Sequence, residues 1–139
     1  MCALLSYKIF ISHGLNAHAD YTRLTELLDE DESFAYTATS IVTPYHYRAM
    51  PKAKIEEMIR TQLKGSNCFI ALDGVYQDCP EWGEFELNSA ARMGVPIIGV
   101  RAWKSKVISP EIEDVAKDVV GWKTAEIEAA IEEYARKAN

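Results

Sequence analysis

The sequence predicts an α/β fold, a five-stranded parallel sheet with helices on both faces. Two observations predict it. Strand-like and helix-like segments alternate along the whole chain, and regular βαβ alternation gives a parallel sheet because each right-handed crossover lays a helix on one face. The first strand candidate is a short apolar run of the kind expected of a strand buried on both faces.

The elements follow in order. Tyr7 to Ser12 (YKIFIS) reads as the first strand. From about His18 to Leu28, Tyr21, Leu24, Leu27 and Leu28 share a helical stripe. Phe34 to Val42 is rich in β-branched and aromatic residues and reads as the second strand. Thr43 to Met50 is a polar-aromatic loop before Pro51, and a helix with Ile55, Met58, Ile59 and Leu63 on one face follows, stopping at Gly65 as a C-terminal glycine. Asn67 to Leu72 is the third strand, closed by Asp73-Gly74. Asp78 offers a cap for the next helix, with Pro80 in its first turn and Glu81 three residues on, and that helix ends at Gly94. Val95 to Val100 is the fourth strand, Pro110 opens a short helix, Val119-Val120 is a weak fifth strand, and Thr124 caps a last helix with Ile127, Ile131 and Tyr134 inward. No repeat, low-complexity tract or linker interrupts the 139 residues, so a single domain over 1–139 is expected. Five strands of this kind commonly take the flavodoxin-like order 2-1-3-4-5, with ligands outside the carboxyl ends of the strands near the switch between strands 1 and 3. That rule nominates Ser12-His13-Gly14, Asp73-Gly74 and the start of the helix after Asp78.

Composition narrows the function. The net charge is −6, and an acidic protein repels phosphate backbones, which argues against nucleic acid as a partner. Residues 48–64 hold five Lys/Arg against Glu56 and Glu57, while residues 111–139 hold eight acids against four bases. Two solvated helix faces account for this, and a head-to-tail contact between a basic and an acidic surface is the alternative. Cys2, Cys68 and Cys79 have neither disulfide-frame nor zinc spacing, which favours a reducing compartment. The start MCALLSYKIF lacks the pattern of a signal peptide, and no apolar run approaches a membrane span, so a soluble, cytoplasmic protein is expected.

The motifs exclude more than they assign. Gly14 alone follows the first strand, so neither a dinucleotide glycine fingerprint nor a phosphate loop is present. His13, His18 and His46 form no ligand spacing, and no metal is expected. Ser12 and His13 are adjacent on a strand and so point to opposite faces, which rejects a Ser–His catalytic pair but leaves either as a ligand contact. Tyr45, His46 and Tyr47 cluster in the loop after the second strand, and Trp103 follows the fourth strand with no evident task.

The informative segment is Pro80 to Gly94. On a helix, Trp82, Phe85, Glu86, Ser89, Ala90 and Met93 share one stripe, with Glu81, Glu84 and Asn88 on another face. Glu86 therefore faces the sheet among apolar residues, where a carboxylate is expensive unless paired or turned to a cavity. A salt bridge to Arg60, Arg92 or Arg101, or a position at the rim of the stripe, is one account and a functional carboxylate is the other.

KIFISH, the Asp-containing first helix, and CPEWGEFELNSAARMGVPIIGV resemble TIR domains. The resembling helix carries Trp82, Glu86, Leu87 and Ala90, followed by Val95-Pro96-Ile97-Ile98 on the strand. The resemblance spans about residues 7 to 135 and is nearest to the TIR proteins of bacterial Thoeris anti-phage defence. It implies an enzyme that cleaves NAD between nicotinamide and ribose and, in some members, cyclises the ADP-ribose into a signal. It implies Glu86 as the catalytic carboxylate. Ser12, His13, Asp73, Gly74, Trp82 and Tyr45 are expected to line the pocket, NAD being substrate rather than cofactor. It further implies self-association through the loop at 43–50 and a downstream effector sensing the product. Competing readings are a non-enzymatic TIR scaffold, a nucleoside deoxyribosyltransferase-like enzyme and a flavin carrier.

Overall fold

A computed structural model describes residues 6–12, 19–39, 50–78 and 80–136. Among these, five strands and six helices alternate: β1 (Tyr7–Ile11), α1 (Ala19–Asp29), β2 (Tyr36–Thr39), α2 (Lys52–Lys64), β3 (Cys68–Leu72), α3 (Asp73–Asp78), α4 (Pro80–Arg92), β4 (Ile97–Val100), α5 (Pro110–Val115), β5 (Asp118–Val120) and α6 (Thr124–Tyr134). The strands form one parallel sheet in the order β2-β1-β3-β4-β5, the predicted flavodoxin-like arrangement.

Side-chain alternation divides the core between the two faces. Ile9, Ile11, Cys68, Ile70, Leu72, Ile98 and Val100 point to one face, where Leu24 and Leu28 of α1 and Ile127 and Ile131 of α6 cover them. Phe10, Phe69, Ala71 and Ile97 point to the other, beneath Ile55, Ile59 and Leu63 of α2, Leu87 and Ala90 of α4, and Ile112 of α5. Phe10 and Phe69 are register partners, and their rings meet edge-on with centroids 5.4 Å apart. Cys68 is a buried free thiol, and burial pushes its pKa up to about 12, which leaves it inert.

Several local expectations are corrected. Asp73-Gly74 does not merely close β3; a six-residue helix, α3, begins there. Gly94 does end α4 in the left-handed region at φ 73°, but Gly65 follows α2 at φ −85° and needs no glycine. Thr124 is the first residue of α6 rather than its cap, and its hydroxyl donates to the Leu27 carbonyl at 3.1 Å. Tyr134 is exposed, while Ala135, four residues after Ile131, takes the inward position against the core. The loop at 43–49, including Tyr45, and the segment holding His13, Gly14 and His18 lie outside the described residues. No described helix is long and apolar enough to cross a membrane.

Candidate functional site at the carboxyl edge of the sheet

Hydrogen bonds join Ser12, the Leu72-Asp73 step and Ser109 at the carboxyl ends of β1 and β3. Alternation places Ser12 on the face of Phe10, the face that carries α2 and α4. Ser12 is buried, its amide donates to the Ile70 carbonyl at 3.0 Å, and its hydroxyl accepts the Leu72 amide at 2.8 Å. The ends of the two central strands are thus stitched by a side chain, whose hydroxyl proton is left to donate elsewhere.

Asp73 follows directly and is 1% exposed. Its Oδ1 accepts the Ser109 hydroxyl at 2.6 Å, and its Oδ2 accepts the Ser109 amide at 3.2 Å and the Gln77 side-chain amide at 2.9 Å. Gly74 sits beside it in the first turn of α3.

Glu86 lies mid-helix on α4. The 3.6-residue period buries Gly83, Glu86, Leu87 and Ala90 together, while Trp82, Phe85 and Met93 are half-buried and Glu81, Glu84 and Asn88 face water. Glu86 is 2% exposed, and burial raises its pKa well above the ordinary carboxylate range. Among the described residues it makes no hydrogen bond or ion pair. The Arg60 guanidinium instead stands over the Phe85 ring at 5.8 Å, and Arg101 reaches toward Gly121. The ion-pair account of this carboxylate is therefore not met among these residues. Trp82 and Ser89, one turn before and after Glu86, line a cleft of about 330 Å³ between α2 and α4, with Lys52, Phe85 and Arg92. Trp82 meets Phe85 edge-on at 5.8 Å.

Ser109, Asp20, Arg23 and Trp103 also stand at this edge, and sequence reasoning did not assign them. Asp20, buried in the first turn of α1, pairs with Arg23 at 2.8 Å, and the Arg23 guanidinium lies 4.2 Å from the centre of the Trp103 ring. A serine just before Pro110 was a legible helix-start signal for Ser109. Nothing local signals the contact between Arg23 and Trp103, which belong to different βα units. His13 and Tyr45 lie outside the described residues. No group of three or more metal-ligating side chains occurs among those described.

The flavodoxin-like sheet makes this an α/β domain, of an architecture in which ligands bind outside the strand ends. The family described as Thoeris protein ThsB, TIR-like domain, matches residues 10–114, and the chain belongs to that family. A 2-deoxyribosyltransferase from Bacillus psychrosaccharolyticus shares the fold at a TM-score of 0.63 and 12% identity, covering 95% of this chain and 98% of that one. The CMP N-glycosidase BcmB of Clostridium botulinum aligns at a TM-score of 0.51 and 15% identity over 90% and 98%. A 3-dehydroquinate dehydratase-like protein from Bifidobacterium longum aligns at 0.50 and 10% identity over 93% and 94%. At these identities the likeness concerns the fold alone. No curated protein matches the chain.

Proposed function

We propose that this chain is an NAD-consuming TIR enzyme that breaks the nicotinamide–ribose bond and cyclises the ADP-ribose into a signalling nucleotide for antiviral defence. The observation that carries the reading is Glu86, a buried carboxyl four residues after Trp82, without an ion-pair partner among the described residues. Membership of the ThsB TIR-like family supports it. The same fold carries a 2-deoxyribosyltransferase and a CMP N-glycosidase, which is compatible with chemistry at a base–sugar bond.

The chemistry asks for one acid. When the C–N bond breaks, its electron pair leaves with nicotinamide, which departs as a neutral base and needs no proton. The ribose is left with oxocarbenium character, as in glycoside hydrolysis. A fixed carboxylate stabilises that charge most effectively where water is excluded. The cationic pyridinium of bound NAD favours the ionised form of Glu86, offsetting the effect of burial. Capture of the cation by water gives ADP-ribose, and capture by a nucleophile of the same molecule gives a cyclic product; each releases one proton. Exclusion of water favours the internal nucleophile. In this reading Trp82 covers the nicotinamide and Ser12 donates to a ribose oxygen, with His13 and Tyr45 as further expected contacts.

A second reading is a self-associating scaffold. A groove between β5 and α6, lined by Asp118, Val119, Glu126, Glu133 and Tyr134, is acidic and complements the basic segment at 48–64. Mass spectrometry of NAD incubated with concentrated protein separates the two. Nicotinamide with ADP-ribose or a cyclic isomer, absent with Glu86→Gln, supports the enzyme. Intact NAD at all concentrations, with concentration-dependent assembly, supports the scaffold.

A further inference from the structure

The loop from Arg101 to Ser109 leaves β4 and returns to the carboxyl end of β3, and both of its ends are fastened. At the first, the Trp122 indole N–H donates to the Arg101 carbonyl at 2.8 Å. At the second, Ser109 gives both its amide and its hydroxyl to the Asp73 carboxylate. Apolar packing backs the second end: a Cβ built on Gly99 would lie 2.9 Å from Ile108 and 2.7 Å from Ile112, so this part of the loop lies directly on β4. Between the ends, Ser105 closes a turn through its amide to the Ala102 carbonyl at 2.8 Å, Lys104 sits at φ 67°, and Trp103 projects onto Arg23 of α1. The loop is an arch over the sheet edge.

Asp73 connects this arch to Glu86. It opens α3, and α3 is seated on α4 by the contact of Tyr76 with Gly83, where a Cβ would come within 2.7 Å of the Tyr76 ring and 3.3 Å of its Cα. Gly83 is three residues, less than one turn, before Glu86. The residue before Asp73 is Leu72, whose amide is held by Ser12. The two-residue step Leu72-Asp73, from the end of β3 into α3, therefore spaces the β1 end, the arch and the Glu86 helix.

We infer that Asp73 and Ser109 are positioning residues: their clamp fixes the 101–109 arch relative to Glu86 and so sets how tightly the site holds its nucleotide. Asp73 acts through the arch, since its two oxygens already accept three donors. The inference rests on the NAD-cleaving reading for its kinetic expression but not for its structural one.

The test compares wild type with Ser109→Ala, Ser109→Thr, Asp73→Asn and Gln77→Ala. Steady-state NAD turnover and hydrogen exchange of the 101–109 amides are read together. Ser109→Ala is expected to raise KM about fivefold or more with kcat changed less than about twofold, the signature of lost binding rather than lost chemistry. Its arch amides should exchange faster than in wild type. Ser109→Thr restores both readouts, and Gln77→Ala, which keeps both Ser109 bonds, leaves both unchanged. Asp73→Asn, whose amide nitrogen cannot accept the donors facing it, repeats the alanine effect and serves if Ser109→Ala does not fold. A fall in kcat at constant KM, or arch amides that exchange at the wild-type rate in Ser109→Ala, overturns the inference. Failure of the wild-type protein to consume NAD overturns the functional reading instead, and exchange then decides the clamp by itself.

Discussion

The hydroxyl of Ser12 accepts the backbone N–H of Leu72 at 2.8 Å, in a buried position where β1 and β3 have run out of ladder partners. Backbone donors that lose their partner away from water retain the desolvation cost. Ser12→Ala strands the Leu72 amide and is expected to destabilise the protein by about 1–3 kcal/mol. Urea unfolding gives the energy, and hydrogen exchange at Leu72 locates it. A variant as stable as wild type would mean that another acceptor takes the amide and that the hydroxyl serves the ligand alone.

Gly83 is a packing requirement in the middle of a helix. Alanine is the better helix former by about 1 kcal/mol. Yet the added methyl would lie 2.7 Å from the Tyr76 ring and 3.3 Å from its backbone. The ring could swing aside, but the backbone of α3 would have to move as well. Gly83→Ala should therefore cost about 1–3 kcal/mol net, as overpacking of a dense contact does. The companion Tyr76→Ala in the same background should recover much of the loss. Additive effects in that double-mutant cycle would place the strain elsewhere.

These contacts show which parts were legible in the sequence. The succession of elements and the buried face of α4 follow from local periodicity, and the sheet order from the arrangement that five strands linked in this way commonly take, so Glu86 stands out in the sequence as a carboxylate on an apolar stripe. The partners that decide each side chain's role lie far away in sequence. Asp73 was legible as a residue at a strand end, but two of the three donors it accepts belong to Ser109, 36 positions on. The Thr124 hydroxyl looked like a cap and serves Leu27 across 97 positions. Tyr134 lies three residues after Ile131 and fits the apolar stripe of α6, yet Ala135, four residues after Ile131, is the one that packs on the core. Trp103 has Arg23 as a neighbour only because the loop after β4 arches over to α1.

The far edge of the sheet is closed by Arg136. Its guanidinium donates to the carbonyls of Ser66 at 3.1 Å, Lys64 at 3.1 Å and Leu63 at 3.4 Å, a cation on the open end of α2. Its backbone exchanges bonds with Asn67, whose Oδ1 accepts the Lys8 amide at 2.6 Å. Arg136→Ala should lower stability by about 1–2 kcal/mol, the group being partly exposed. Arg136→Lys recovers less than half of that, because an ammonium lacks the planar fork. Thermal unfolding ranks the three proteins; full recovery by lysine would reduce the latch to simple charge.

Burial raises the Glu86 pKa well above the ordinary carboxylate range, and this gives the protein a pH signature independent of any substrate. Below that ordinary range the group is protonated in both the folded and unfolded chain, and its titration contributes nothing to stability. Above it the unfolded chain releases the proton while the folded chain keeps it, so the folded state binds more protons and stability falls as pH rises. The loss continues until the folded group itself ionises. Glu86→Gln removes this titration while nearly keeping the shape. The variant's margin over wild type should be smallest at acid pH and widen as pH rises above the ordinary carboxylate range. Unfolding midpoints across that range measure the divergence. In the same variant NAD cleavage should fall by at least about a hundredfold, because charge stabilisation at the ribose is lost. A stabilised and inactive variant means that Glu86 is kept at the expense of the fold for its chemistry, whereas a variant destabilised at every pH means that the carboxyl makes a structural bond that glutamine cannot replace.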